Sequence, residues 1–285
     1  MQKKHFFFLD LHTEMWYTKL IIWKGAFDMS KLSSKKSIFS NPIIRKMKKM
    51  DGVYEGDCAT YKGIFLKSLY FLLMVIVGAA LAFTLANSFL TSSTLLFVLY
   101  GVSLVLMLVC GIVAGISPKT TPVTGTLSSL AMGYATAFTG VLIPEYSSIY
   151  YLAIVLTLAI VLAMMFVYFS GIVKVTDNFR KVLYTALLAS IIGSLILVVC
   201  FIIPATRIAT VLFLTNPVIA ILVSVIEIIL ASLFLLVDFN DIERTVEARL
   251  PQSFEWLASF SLIITIVWLY LEILDLLLKI KDMVD

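Results

Sequence analysis

Several stretches of this chain run for more than 18 residues with apolar side chains and at most one charge, and few folds can house that pattern. A helix of such a length matches the roughly 30 Å hydrocarbon core of a bilayer, where its backbone polar groups satisfy one another. Hydropathy places spans at 64–86, 94–116, 122–143, 148–172, 180–203, 213–237 and 257–279. A single very large soluble core is the alternative. It fails because 61% of the 285 residues are apolar and only 14% charged, more apolar surface than one core of this size can hide. The expected fold is all-α: a polytopic membrane protein with a seven-transmembrane-helix bundle. The third span is the least hydrophobic, and its Thr, Ser and Gly residues predict a helix packed inside the bundle. No internal repeat is evident, which weakens an inverted-repeat transporter reading.

Lys and Arg orient the spans. Twelve of the 22 precede the first span. Lys67 lies just inside that span, and Lys119, Lys174, Arg180, Lys181, Arg244 and Arg249 fall in or beside connections on the same side. Arg207, Lys279 and Lys281 fall on the other side. This predicts a multi-pass protein of the cell membrane with a cytosolic N-terminus and an extracytosolic C-terminus. The net charge of +4 belongs to the cytosolic segments and is no nucleic-acid signal. The expected organisation is a basic cytosolic segment over 1–62, a seven-helix domain over 63–280 and a short tail over 281–285.

Residues 1–28 are aromatic and basic and end just before Met29. Two readings stay open: an upstream extension with Met29 as the natural start, or an amphipathic surface anchor built on Trp16, Tyr17, Ile21, Ile22 and Trp23. No cleavable signal peptide is expected. Small residues at four-residue spacing, Gly78 with Ala82 and Gly111 with Gly115, read as packing devices that let helices approach closely.

Acids inside the spans are costly and mark function or a buried partner. Glu227 lies midway along the sixth span and Asp238 at its end, eleven residues on. That spacing puts both on one helix face, about 16 Å apart along the axis. Asp241 follows at i+3, and Glu272 with Asp275 form a second i,i+3 pair in the last span. No Lys or Arg lies mid-helix to neutralise them, so they are expected to be protonated, hydrated or bound to a cation. Two facing carboxylates would share a proton, and oxygen ligands suit hard cations such as Ca2+. A pH-gated cation site is one reading. Solvated acids at a membrane boundary are the other for Asp238, Asp241, Glu243 and Asp275.

Enzymatic readings fare poorly. The histidines, His5 and His12, lie outside every span, which leaves Ser–His catalysis without a base and histidine-ligated hydrolysis without ligands. An aspartyl dyad of Asp238 and Glu272 is the remaining enzymatic option. No phosphate-binding Gly-rich loop occurs, and Cys58, Cys110 and Cys200 have no metal or disulfide spacing. No enzyme activity and no cofactor are expected.

Asp238-Phe239 with Ile242-Glu243, then Pro251, Glu255-Trp256 and Trp268-Leu269-Tyr270-Leu271-Glu272-Ile273-Leu274, resemble the closing signature of the Bax inhibitor-1/YccA-like family, the transmembrane Bax inhibitor motif proteins, in its bacterial branch. Ser40-Asn41-Pro42, Tyr61-Lys62-Gly63 with Lys67, and Tyr168, Gly171, Lys174-Val175-Thr176 and Phe179-Arg180 are similar to further family motifs. The resemblance runs from about residue 40 to the end. It implies a seven-helix bundle with the last helix central and a passive, pH-sensitive Ca2+ leak attributed to an acid pair on the last two helices. By motif position Asp238 and Glu272 match that pair, as the residues that would hold Ca2+. Met132-Gly133 stands where an acid and Gly are usual, Asp275 where Arg is usual, and the second span lacks the family's basic residue.

Contact between Asp238 and Glu272 sets a geometric condition. Glu272 is sixteen residues past Trp256, roughly 24 Å of helical rise. The two meet only if Leu250–Ser259 lies along the membrane surface and the span starts near Phe260. The rival function, implied by one branch of the resemblance, is a non-conducting regulator of a membrane-bound protease or stress response. Lipid, Ca2+ and protons are the expected partners, with a membrane protease in that second reading.

Overall fold

The computed structural model describes residues 19, 21, 57–88, 93–142, 147–214 and 216–284. Met29, the Ser40-Asn41-Pro42 motif and the Pro144-Glu145 connection lie outside them. Eight helices occur among the described residues: α1 Tyr61–Ala86, α2 Ser93–Ile116, α3 Thr121–Leu142, α4 Ser147–Phe169, α5 Asp177–Ile202, α6 Pro204–Leu214, α7 Pro217–Glu247 and α8 Ser253–Val284. Seven of them are long, and six of those are apolar and long enough to cross a membrane. The exception is α3. It packs against α1 and α2, and two of its polar side chains bond to the backbone of α2: Ser128 donates to the Met107 carbonyl at 3.1 Å and Thr121 to that of Ala114 at 2.8 Å.

Local chemistry explains most boundaries. Thr60 and Thr176 cap α1 and α5 by accepting from Gly63 N–H and Phe179 N–H. After α4 the chain turns through Gly171, whose φ of 69° is left-handed and open to glycine without strain. The sixth predicted span differs at its start. Pro204 ends α5 and opens the short α6, and Pro217, capped by Asn216, opens α7, because proline suits a first helical turn and breaks an interior. α7 then runs ten residues past the predicted end at 237.

The glycine pattern has a specific use. A Cβ built at Gly78 would overlap the Leu130 carbonyl, and one at Gly133 would overlap the Val75 carbonyl. α1 and α3 therefore cross backbone to backbone. Ala82, fully buried, continues the contact into a small cluster with Tyr100, Tyr134 and Phe138.

α8 is the centre of the bundle. It packs against α1, α2, α3, α4 and α7, and 67% of its most apolar window is buried, against 11% for α4. The large apolar side chains exposed on α1, α2, α4 and α5 supply the lipid-facing surface. The surface helix over Leu250–Ser259 that contact between Asp238 and Glu272 requires is not found. Ser253–Val284 is one continuous helix, and Glu255, Leu257, Ala258 and Ser259 are all buried in its first turns. Residues 57–60 hold that start in place: Ala59 N–H bonds to the Leu250 carbonyl at 2.8 Å and Gln252 N–H to that of Asp57 at 3.0 Å.

Two residues of the N-terminal segment are placed inside the bundle. Ile21 is buried and belongs to the main core, packed where a Cβ on Gly111 would collide with it. The other residues of the anchor reading, Trp16, Tyr17, Ile22 and Trp23, lie outside the described residues. Lys19 is buried beside it.

Candidate site: a ladder of buried acids between the last two long helices

α7 and α8 pack with one register along their length. Asp238 Oδ1 accepts from Ser261 Oγ at 2.7 Å. Eleven residues back along α7 and eleven forward along α8 stand Glu227 and Glu272. Three residues further, Ser224 Oγ donates to Asp275 Oδ2 at 2.8 Å. Eleven residues are about three turns, or 16 Å, so equal steps in opposite directions describe antiparallel helices with facing rungs.

In this register Asp238 and Glu272 do not meet. Asp238 faces Ser261, three turns from Glu272, and the acid level with Glu272 is Glu227. The continuous start of α8 at Ser253 is the physical reason, since contact needed a helix beginning near Phe260.

Nor are the acids without cations, as their sequence surroundings suggested. Lys19 Nζ lies 3.2 Å from Glu227 Oε2 and 3.2 Å from Glu272 Oε1. Ser190 on α5 donates to Glu227 Oε1 and lies 3.3 Å from the Lys19 ammonium. Trp268 Nε1–H donates to Glu272 Oε1 at 2.8 Å. One rung on, Lys279 Nζ bonds to Asp275 Oδ2 at 2.5 Å and to Ser224 Oγ at 2.8 Å. Asp275 is 1% exposed, not wet at a boundary.

At the other end Asp241 is paired with Arg180, whose Nη2 lies 2.6 Å from Asp241 Oδ1 and donates to Asn240 Oδ1 at 2.6 Å. Asn240 Nδ2 in turn donates to Tyr168 Oη at 3.2 Å, and Tyr168 donates to Glu243. The motif residues Tyr168 and Arg180 thus tie the α4–α5 connection to the end of α7. Asp238 and Asp241 are both buried, so the solvated-boundary reading does not describe them. Asp238 Oδ2 has no hydrogen-bond partner among the described residues.

A further buried acid, Glu255 on α8, was absent from the expected set. It pairs with Lys67 of α1 and accepts from Thr60 N–H at 2.7 Å and Thr60 Oγ1 at 3.1 Å. The Lys67 ammonium also lies 5.0 Å from the centre of the Trp256 ring, a cation–π contact. A Cβ on Gly63 would overlap the Glu255 carboxylate. The Tyr61-Lys62-Gly63…Lys67 and Glu255-Trp256 motifs are therefore two halves of one contact.

Some of these partners carried a signal. Lys279 follows Asp275 at i+4, a pairing distance on any helix. Lys19 carried none, since its acid partners, Glu227 and Glu272, are more than 200 residues away in sequence. Among the described residues, no three His, Cys, Asp or Glu side chains are grouped to share a metal ion.

A family model described as Bax inhibitor 1 like matches residues 32–282. No curated protein and no solved structure matches the chain. The match takes in α1 to α7, nearly all of α8 and every acid of the ladder, and it begins after Lys19.

Proposed function

We propose that this chain, which belongs to the Bax inhibitor 1 like family, is a pH-sensitive cation leak channel or transporter. Ca2+ is the transported ion in this reading, and protonation of carboxylates on α7 and α8 gates it. The observation that carries the reading is the ladder. A central helix that places acids at successive levels inside an apolar bundle bears a desolvation cost of several kcal/mol per ion, and such residues in membranes mark ion and proton pathways. Asp238, with one oxygen lacking a hydrogen bond and no ion pair among the described residues, unlike Glu227, Glu272, Asp241 and Asp275, is the rung most open to a proton or a hydrated cation. The protein sits in the cell membrane with a cytosolic N-terminus and an extracytosolic C-terminus, following the Lys and Arg distribution. In this reading it needs no cofactor and catalyses no reaction, and the resemblance of its motifs points to the family's bacterial branch.

The test is purified protein in liposomes loaded with a Ca2+ dye, assayed from pH 5 to 8. Influx that varies with pH, and loses that variation in Asp238→Asn or Glu272→Gln, supports the leak. Absent influx, or influx untouched by both substitutions, removes it.

A second reading, a non-conducting regulator of a membrane-bound protease or stress response, draws support from a different observation. Glu227, Glu272, Asp241 and Asp275 each contact a Lys or Arg, which suits fixed packing as well as transport. Turnover of membrane substrates in cells lacking the protein tests it.

A further inference from the structure

The ammonium of Lys19 occupies a place with the attributes of a cation site. Two carboxylates from different helices, Glu227 and Glu272, approach it to 3.2 Å each. A hydroxyl from a third helix, Ser190, lies at 3.3 Å. Glu227 Oε2 makes no hydrogen bond, so its contact is the ionic one to Lys19 alone. The Glu272 carboxylate is held in position from its other side by the Trp268 indole. Lys19, Glu227 and Glu272 are buried and Ser190 is half-buried, and a carboxylate held inside the bundle is costly to leave without a partner.

Charge counting completes the argument. The neighbouring Asp275 is matched by Lys279, which leaves Glu227 and Glu272 with a formal charge of −2 against the +1 of Lys19. Without Lys19, two carboxylates and a hydroxyl remain on three helices that packing holds in register, and hard oxygen donors of that charge suit a divalent cation. Lys19 precedes the residues that the family model matches, 32–282, so the cation is supplied from outside the matched bundle.

We infer that Glu227, Glu272 and Ser190 form a divalent-cation site whose resident ligand is the Lys19 ammonium, and that Lys19 keeps metal ions out of this level of the bundle. Its bearing on transport rests on the leak reading; the site itself does not.

Trp268 provides the readout, because an indole beside a bound lanthanide sensitises its emission. The full chain is purified in detergent as wild type, Lys19→Met, Lys19→Gln and Lys19→Arg, and titrated with Tb3+, with Ca2+ as competitor. Lys19→Met or Lys19→Gln should give a saturable Tb3+ emission that Ca2+ suppresses. Wild type and Lys19→Arg should not, and adding Glu272→Gln or Trp268→Phe to the responsive variant should remove the signal. Absence of a gain in both uncharged variants overturns the inference, as does a gain that Glu272→Gln leaves intact. Ca2+ influx in liposomes is read on the same variants. Tb3+ binding gained with no influx in wild type or any variant keeps the site and counts against the leak, while pH-dependent influx in wild type with no Tb3+ binding in any variant does the reverse.

Discussion

Asp238 is hydrogen-bonded to Ser261, eleven residues before Glu272 on the same helix, and so lies about three turns from the acid with which its motif position pairs it. The two acids therefore belong to separate rungs. Mutations more than about 10 Å apart that share no partner add in their effects, to within about 0.5 kcal/mol. Asp238→Asn and Glu272→Gln should thus be additive in thermal or denaturant stability. Glu227→Gln and Glu272→Gln share Lys19 and should not be. A double-mutant cycle on each pair separates the cases, and strong coupling between Asp238 and Glu272 would contradict the register.

The Lys67–Glu255 pair should behave as a buried ion pair. Removing one partner strands a charge, and such losses cost about 3–5 kcal/mol. Lys67→Ala is expected near the low end, since its side chain keeps some exposure, and Glu255→Ala should also forfeit two hydrogen bonds to Thr60. Lys67→Met combined with Glu255→Leu should recover much of the loss. Melting of the detergent-solubilised variants decides it.

The α1–α3 crossing predicts intolerance to a single methyl group. Gly78→Ala and Gly133→Ala each place a Cβ against a backbone carbonyl that cannot swing away, and overpacking of this kind costs about 1–3 kcal/mol or more. Gly193→Ala is the control, because a Cβ there meets nothing within 4 Å; it should be neutral or slightly stabilising.

Arg249 has a φ of 48°, the left-handed region, in the turn that joins α7 to α8. Glycine is the usual residue at such a helix end. Arg249→Gly should therefore stabilise, by up to about 1 kcal/mol, with no change in the ladder. A fall in melting temperature would mean that the Arg249 side chain contributes more than its backbone costs.

Much of the bundle was readable from residue order, because a bilayer imposes length and apolarity on each span. α1 to α5 begin within three residues of their predicted starts. α7 differs from its predicted span at both ends for different reasons: Pro217 resets its start, and Asp238 and Asp241, polar enough to suggest a water boundary, are buried against Ser261 and Arg180. The acids themselves were visible as anomalies in apolar sequence. Their partners were not, because facing residues depend on where α8 begins, and hydropathy blurs that start: Glu255 looks like the last polar residue outside when it is the first buried one. Lys19 was the hardest. A cation in a short basic and aromatic segment resembles any other, and only the assembled bundle shows which acids it serves.

The contact of α3 with its neighbours also bears on how the protein is made. A helix is accepted by the insertion machinery according to its own apolarity, and α3 falls short of the mark that the other six long helices reach. Its Ser128 and Thr121 hydroxyls are bonded to α2, and its Gly133 lies against α1. Those partners precede it in the chain and leave the ribosome first. Membrane entry and folding are thus not separable steps for this part of the molecule. A substitution such as Gly78→Ala strikes at biogenesis as well as at stability, and its mark in a cell would be protein that is never inserted rather than protein that unfolds.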